Sequence, residues 1–172
     1  MHSIAWWPTF IALIIATVSD LRSRRIPNWL VFPFLSAGLI VSALTHGWRG
    51  LGQSVLGVLL AAFLLGIFYW LGGMGMGDLK LCAAIGAWIG PGQLLRALVV
   101  MGIAGGVMAL VWATCGGFLK EALSGTSDLV FGLKNRGFRP HPTLVLTNPA
   151  TRKMPYAPAI AIGTIFSFLA LP

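Results

Sequence analysis

The chain has 172 residues, of which 57% are hydrophobic and only 9% are charged. Soluble globular domains carry roughly 25% charged residues, so a soluble fold would leave this chain too little charge to cover its surface. Disordered chains are poor in apolar residues, which excludes disorder. The composition therefore predicts an integral membrane protein. The net charge of +8 is expected to reflect membrane topology and anionic lipid headgroups, with no role in nucleic acid binding.

Six apolar runs follow one another along the chain, separated by polar or glycine-rich breaks. They cover residues 4–19, 29–44, 55–71, 79–95, 97–119 and 156–171. Runs this long and continuous predict helices, because β-barrel strands alternate over segments of about ten residues. We therefore predict an all-α polytopic membrane protein, with six transmembrane helices in a single domain over residues 1–172. The fourth run is interrupted by Gly90-Pro91-Gly92 and is short enough to be re-entrant, although the charge pattern favours a full crossing.

The basic residues are concentrated in alternate breaks. Ten of the twelve occupy the first, third and fifth breaks, and only Arg49 and Arg96 occupy the other two. Because cytoplasmic loops carry an excess of Lys and Arg, this alternation places both termini outside the cytoplasm. It also predicts a cytoplasmic loop over about 120–155, in which residues 129–138 fit either a short amphipathic helix or a plain flexible segment.

Glycine recurs at small-residue spacing in two of the runs, where we predict close helix packing and no chemistry. These glycines are Gly52, Gly57 and Gly66 around the third run and Gly102, Gly105 and Gly106 in the fifth. The three histidines and two cysteines are scattered and form no CxxC motif, so the sequence supports neither a metal site nor a disulfide framework.

Two of the four acidic residues are unusually placed. Asp20 ends the first apolar run and Asp78 lies between the third and fourth, so the topology puts both near cytoplasmic helix ends. Ionisable groups at membrane depth are costly and point to function. Two carboxyl groups at one depth suggest an aspartic dyad, in which one is a general base on water and the other polarises a peptide carbonyl. Glu121 and Asp128 lie in the polar loop, where we expect solvated surface positions.

Both aspartates also have structural explanations. Asp20 fits a helix cap or an ion pair with Arg22 or Arg24, and Asp78 fits the N-cap of the fourth helix, where Asp is favoured. Four glycines precede Asp78, more than a cap requires, and they suit a backbone that presents the acid to a substrate chain. A phosphate-binding loop is excluded because these glycines follow no strand and the aspartate would repel phosphate.

Three segments together resemble a known family. The heptapeptide Gly75-Met76-Gly77-Asp78-Leu79-Lys80-Leu81 resembles the GxGD signature of intramembrane aspartyl proteases, in the GxGDxKL form of type IV prepilin peptidases. Residues 20–28, an aspartate followed by a basic stretch and Ile-Pro-Asn, resemble that family's first-aspartate segment. Residues 154–163 resemble its Pro-aromatic-x-Pro segment. In this order the three segments cover essentially the whole chain.

The resemblance implies a GxGD-protease-like bundle in the bacterial inner membrane, with Asp20 and Asp78 as the catalytic pair on the cytoplasmic side and no cofactor. It implies cleavage of the basic leader from type IV prepilins, with prepilin, membrane lipid and the pilus assembly machinery as partners. Because the chain begins at the first span and lacks paired CxxC motifs, it is similar to the short Flp-type form. No N-methyltransferase activity is expected.

Eight further residues are candidates for substrate binding or support of the pair. They are Gly75, Gly77, Lys80, Arg22, Pro27, Asn28, Pro155 and Pro158. Lys80 and Arg22 either bias the proton of the dyad or hold a substrate carboxylate, although membrane topology explains their charge equally well. Pro27 and Asn28 are expected to shape the turn into the second helix. Two other functions stay open: a small proton-coupled transporter or proton channel using the same carboxylates, and a non-catalytic partner in a secretion system.

Overall fold

All regular structure in the described part of the chain is α-helical. The computed structural model describes residues 2–71, 73–117 and 154–170. Its helices are α1 (His2–Ser23), α2 (Asn28–Trp70), α3 (Met76–Cys115) and α4 (Ala157–Leu169). The predicted all-α class is confirmed. Most of the loop predicted over 120–155, including the segment 129–138 and both loop acids, lies outside the described residues.

Helix α2 is a helical hairpin that reverses at Gly47. The backbone there has φ 58° and ψ −145°, a left-handed conformation that favours glycine. Residues eight positions apart in a continuous helix are separated by about 12 Å, yet a Cβ on Gly50 would collide with the carbonyl of Ser42. The halves 28–46 and 48–70 are therefore folded back on each other. The polar break that the sequence predicts around Arg49 is therefore only this one turn.

Helix α3 reverses in the same way at Gly90, where φ is 73°. The Sγ of Cys82 lies 3.8 Å from the Sδ of Met101, although a continuous helix would separate the two residues by about 28 Å. The second half of α3 begins at Pro91, because proline suits the first position of a helix. The prediction that the next helix starts near residue 97 is therefore wrong, and Arg96 lies inside that helix.

The interior of the bundle combines small residues with larger apolar side chains such as Leu81, Ile85 and Leu94, and many other large apolar side chains lie outside. Ala16, Ala61 and Ala84 are completely buried. Gly57 of α2 and Gly86 of α3 approach so closely that a Cβ on either would collide with the backbone of the other. In lipid, helix association depends on such close backbone packing, because burial of large apolar groups gives no driving force there. The packing therefore matches a membrane environment.

Among the residues that the structure describes, two helices have the length and composition needed to cross a membrane. These are α2 and α3, each containing a window with mean hydropathy 2.2, of which only 22% is buried within the protein. A core helix of a soluble protein would bury most of such a window. Phe63 of α2 and Ile103 of α3, for example, are 69% and 65% exposed. These surfaces are suited to contact with lipid.

The packing predicted for the six glycines is confirmed at two of them. Gly57 packs on Gly86, and Gly105 packs on the side chain of Tyr156. At the other four, an added Cβ would meet nothing within 4 Å in the described part of the chain, so that part of the chain provides no packing partner there. These four are Gly52, Gly66, Gly102 and Gly106.

Candidate active site

Asp20 is a buried side chain near the end of α1, with 6% of its surface exposed. Its Oδ2 accepts a hydrogen bond of 2.9 Å from the backbone N–H of Ala157, the first residue of α4. The first N–H groups of a helix have no partner within the helix and carry partial positive charge. The Asp20 carboxylate is thus held by the start of a helix 137 positions away in the sequence.

The backbone that follows Asp20 is fixed by two hydrogen bonds. The N–H of Arg24 donates to the Asp20 carbonyl at 2.8 Å, and the Ser19 hydroxyl donates to the Arg25 carbonyl at 2.9 Å. Arg24 has φ 51°, and this left-handed residue ends α1. The chain then reaches Pro27, which is extended and forms the N-cap of α2. The turn between α1 and α2 is therefore defined by its own backbone contacts.

Asp78 is the third residue of α3, which follows the N-cap residue Gly75. It therefore occupies the position of the third helical residue in a capping box, from which a side chain points back towards the N-cap. A Cβ on Gly75 would lie only 3.0 Å from Oδ2 of Asp78. The absence of a side chain at position 75 therefore leaves space around the carboxylate.

The start of α3 makes three contacts with the start of α2 and the residues just before it. A Cβ on Gly77 would lie 3.2 Å from the Cβ of Ile26, so the two backbones are close at this point. Lys80 donates from Nζ to Oδ1 of Asn28 at 3.3 Å. The same Nζ lies 5.4 Å from the centre of the Phe32 ring, within the range of a cation–π interaction. These contacts bring Asp78 beside the turn that follows Asp20.

Asp78 also borders a cavity of about 580 Å³. Among the described residues that line this cavity, Asp78 is the one charged side chain, and most of the others are large and apolar. Tyr156 lines the cavity as well, and it directly precedes Ala157, which binds Asp20. The Tyr156–Ala157 step therefore connects the two acids, because Ala157 binds Asp20 and Tyr156 lines the cavity that Asp78 borders.

The groups that meet at this site are two carboxyl groups, a phenol and backbone amides. They can supply general acid–base chemistry and hydrogen bonds to a peptide. Within residues 2–71, 73–117 and 154–170, no three His, Cys, Asp or Glu side chains form a group that could hold a metal ion.

Comparison with known proteins decides the family. Residues 7–110 match the family model described as the type IV leader peptidase family. This match includes both Asp20 and Asp78 and covers more than half of the chain. The chain belongs to the type IV leader peptidase family.

Relatives from several bacteria have the same printed name, prepilin leader peptidase/N-methyltransferase. The protein from Aeromonas hydrophila is 33% identical over 117 residues, which are 60% of this chain and 40% of the relative. The protein from Bacillus subtilis (strain 168) is 31% identical over 160 residues, which are 91% of this chain and 52% of the relative. The chain thus spans about half the length of these relatives or less. No solved structure matches it significantly.

Most of the candidate residues of this leader peptidase family member come together in the structure. Gly75, Gly77, Lys80, Pro27 and Asn28 lie where the starts of α2 and α3 meet. Pro158 is in the first turn of α4 and Pro155 directly precedes Tyr156. Arg22 is the exception among the candidates. It lies exposed in the last turn of α1, and the described contacts do not bring it to the pair.

The structural explanations of the two aspartates have different outcomes. Asp78 is not an N-cap, because Gly75 occupies that position. Asp20 does cap a helix end, which is the start of α4.

Sequence reasoning missed Ala157 and Tyr156 as parts of the site. The available signal was Pro158, because a proline in the first helical turn marks a helix start. A helix start offers free N–H groups to a carboxylate.

Proposed function

We propose that this protein is a prepilin peptidase, a membrane-embedded aspartic endopeptidase that removes the basic leader from type IV prepilins of the Flp type. The observation that carries this proposal is the position of Asp20 and Asp78 on either side of the Tyr156–Ala157 step, beside an apolar cavity. The printed names of the relatives support the substrate class. The expected partners are prepilin, membrane lipid and the pilus assembly machinery.

In the proposed reaction the two carboxyl groups share one proton, because two like charges close together in an apolar site do not both ionise at neutral pH. The ionised carboxylate takes a proton from water while the water oxygen bonds to the peptide carbonyl carbon. The protonated carboxyl group gives its proton to the carbonyl oxygen, which produces a tetrahedral diol.

In the second step the proton taken from water passes to the amide nitrogen, and the C–N bond breaks. The other carboxylate takes back a proton from one hydroxyl of the diol, which becomes the new carboxyl group. The products are the leader peptide and the free amine of the mature pilin. The pair again holds one proton, so no cofactor or metal takes part in these steps.

The surroundings of the two acids support different tasks. Asp20 is buried and held by the Ala157 N–H, so its carboxylate has a fixed position. Asp78 borders the cavity, where a peptide bond and water have room to approach. A scissile carbonyl placed beside Asp78, with Asp20 behind it, would contact both acids.

We also propose that the six helical segments cross the bacterial inner membrane, with both termini outside the cytoplasm and the site at the cytoplasmic side. The uneven distribution of basic residues supports this orientation. Residues 76–89 form a helix roughly 20 Å long, shorter than the roughly 30 Å hydrocarbon core, so this segment crosses only with local thinning of the bilayer. The orientation puts the start of this helix, and with it Asp78, on the cytoplasmic side, where water reaches the acid.

The proposal covers cleavage and not methyl transfer. The relatives' names include N-methyltransferase, and this chain matches only 40% and 52% of two of those proteins, so methyl transfer is left out of the proposal. Incubation of cleaved pilin with S-adenosylmethionine tests this expectation, because methylated product would contradict it.

Co-expression with a candidate prepilin tests the function. We expect mature pilin with the unmodified enzyme and a loss of cleavage of at least about 10²-fold with Asp20→Asn or Asp78→Asn, because each removes one member of the acid–base pair. Membrane levels of the variants should be unchanged. Thr45→Ala, which removes an exposed hydroxyl at the far end of α2's first half, is the control. Full cleavage by either Asn variant would refute the dyad, and lost proton transport with normal cleavage would favour the transporter.

A further inference from the structure

An open apolar groove lies between α1 and the first half of α2. Its volume is about 610 Å³, within the range of roughly 300 to 1,000 Å³ for clefts that bind organic ligands. Ile11 and Ile15 of α1 line one side of the groove. Trp29, Leu30 and Phe34 near the start of α2 line the other. Because α1 packs mainly against α4, this groove is open to the surrounding lipid.

The groove lies on a different face of α1 from the candidate active site. Successive residues of a helix are separated by about 100° around its axis, so Ile11 and Asp20, nine positions apart, point to opposite sides. Ile11 is 54% exposed, whereas the Asp20 carboxylate is buried against the Ala157 N–H. A ligand in the groove therefore lies away from the Asp20 carboxylate, and peptide hydrolysis leaves the groove unexplained.

Arg22 lies on the same face of α1 as the groove. Pro8 and Ile15 line the groove, and Arg22 follows them at the same spacing of seven residues, which is close to two helical turns. Arg22 is exposed in the last turn of α1. Arg24 and Arg25 follow it in the turn to α2 and are also exposed. Three exposed arginines therefore lie at the end of the groove where α1 and α2 are joined.

These arginines give this end of the groove a surplus of positive charge. The acids in the described part of the chain are Asp20, which is buried against Ala157, and Asp78, which borders the other cavity. Guanidinium groups bind phosphate oxygens through paired hydrogen bonds. An apolar groove that ends in such groups favours a ligand with a phosphate and an attached apolar chain.

The length of the groove also fits a lipid. Measured along α1, the groove residues Ile15 and Trp7 lie roughly 10 and 22 Å from Arg22. One half of the hydrocarbon core of a bilayer is roughly 15 Å thick. An acyl chain whose phosphate binds Arg22 would therefore run along the groove to about the centre of the bilayer.

We propose that the groove and the three arginines form a binding site for an anionic phospholipid, with its phosphate at Arg22 and an acyl chain between α1 and α2. The proposed orientation places this lipid in the inner leaflet, whereas the binding itself does not depend on the proposed cleavage. A prepilin fits this surface less well, because the arginines would repel its basic leader. A zwitterionic lipid lacks the net negative charge that complements them.

The test measures which lipid lies beside Trp29. The full chain is placed in phosphatidylcholine vesicles with increasing amounts of dibrominated phosphatidylglycerol or dibrominated phosphatidylcholine, whose bromine atoms quench nearby tryptophan fluorescence. The signal of Trp29 is the difference between the unmodified protein and Trp29→Phe. Trp48→Phe gives a reference signal in the same way, because Trp48 is 88% exposed beside Arg49 and lies outside the groove.

We expect phosphatidylglycerol to be preferred over phosphatidylcholine beside Trp29 by at least about tenfold more than beside Trp48, since each basic residue near an anionic lipid adds about fivefold in affinity. Arg22→Gln should lower this preference about fivefold, and Arg22→Lys should retain most of it because it keeps the charge. Arg49→Gln is the matched control, which removes the same charge next to the Gly47 turn and should leave the preference unchanged. If Arg22→Gln does not fold, Arg25→Gln takes its place.

Three outcomes would overturn the lipid site. The first is equal quenching of Trp29 by the two lipids, and the second is an equal effect of Arg22→Gln and Arg49→Gln, which would reflect net charge alone. The third is relief of Trp29 quenching by added prepilin, which would assign the groove to the substrate. None of these measurements uses cleavage, so the proposed function survives all three. Conversely, a protein that cleaves no prepilin but keeps the lipid preference would refute the function and leave the lipid site in place.

Discussion

The two aspartates occupy opposite kinds of surroundings. Asp20 is buried at the end of α1, where a backbone N–H from α4 fixes its carboxylate. Asp78 follows a glycine-rich turn and borders a large cavity. The two acids therefore differ: a backbone hydrogen bond fixes the carboxylate of Asp20, whereas Asp78 borders an open cavity.

The two surroundings also arise from the sequence in different ways. The contacts of Asp78 with Gly75 are local, since both belong to the first turn of α3. The contact of Asp20 with Ala157 joins the two ends of the chain. The Tyr156–Ala157 step links both, because Tyr156 faces the cavity and Ala157 binds Asp20. A change that moves this step should therefore disturb both acids at once.

Among the changes that keep both aspartates, the largest effect is expected from Gly105→Ala, which moves Tyr156. An added Cβ on Gly105 would collide with the phenol of Tyr156. Because the collision is with the end of a side chain, the ring moves and the helices stay in place. We expect kcat to fall by about 10- to 100-fold, since a displacement of about 1 Å can cost 10²-fold, while KM changes by less than about threefold. Cleavage kinetics in detergent measure both constants.

Gly106→Ala is the matched control for this change, because an added Cβ there meets nothing within 4 Å in the described structure. It should keep full activity. A double mutant tests whether Gly105→Ala acts through Tyr156. In a Tyr156→Ala background, Gly105→Ala should lower kcat no further, because the ring that it would collide with is gone. Independent, multiplying losses in the double mutant would contradict a role through Tyr156.

The second effect concerns stability, in which the alanine variants of Asp20 and Asp78 are expected to differ. Asp20→Ala leaves the buried Ala157 N–H without its acceptor, which should cost about 1–3 kcal/mol of unfolding free energy. Asp78→Ala should cost less than about 1 kcal/mol, because its surroundings are open to the cavity. Thermal unfolding in detergent compares the two.

Asp20→Asn keeps an acceptor oxygen, so its unfolding temperature should be close to that of the unmodified protein, although the variant should be inactive. Equal losses for the two alanine variants would show that Asp20 is no more fixed than Asp78.

The sequence alone predicts the helical class and the order of the six segments, because long apolar runs and polar breaks are direct signals. It also places both acids near helix ends. The turns are less predictable: a break around Arg49 becomes a reversal at Gly47, since one glycine with positive φ suffices to turn the chain. Likewise, the chain reverses at Gly90, so the next helical half starts at residue 91 and not at the predicted residue 97.

The contacts between helices are not readable from the sequence. In a lipid-facing bundle both the inner and outer faces of a helix are apolar, so amphipathic patterning does not mark the inner face. Gly105 and Gly106 look equivalent in the sequence, yet only Gly105 accommodates another residue in the described structure. The Ala157 N–H and the Asn28–Lys80 contact depend on packing between distant segments and could not be predicted.

The smallest effect is expected where the start of α3 is attached to α2. Asn28→Ala removes the 3.3 Å hydrogen bond from Lys80 but leaves the Lys80–Phe32 contact in place. Because Asn28 is exposed and the bond is long, we expect a loss below about 1 kcal/mol in stability. Cleavage should fall no more than about threefold, since Gly77 still packs on Ile26. Phe32→Leu is the companion variant, which keeps the hydrogen bond and removes the ring. If Asn28→Ala instead lowers kcat tenfold with unchanged stability, the position of Asp78 depends on this one bond. The accessible acid would then be fixed as firmly as the buried one, which would remove the asymmetry between them.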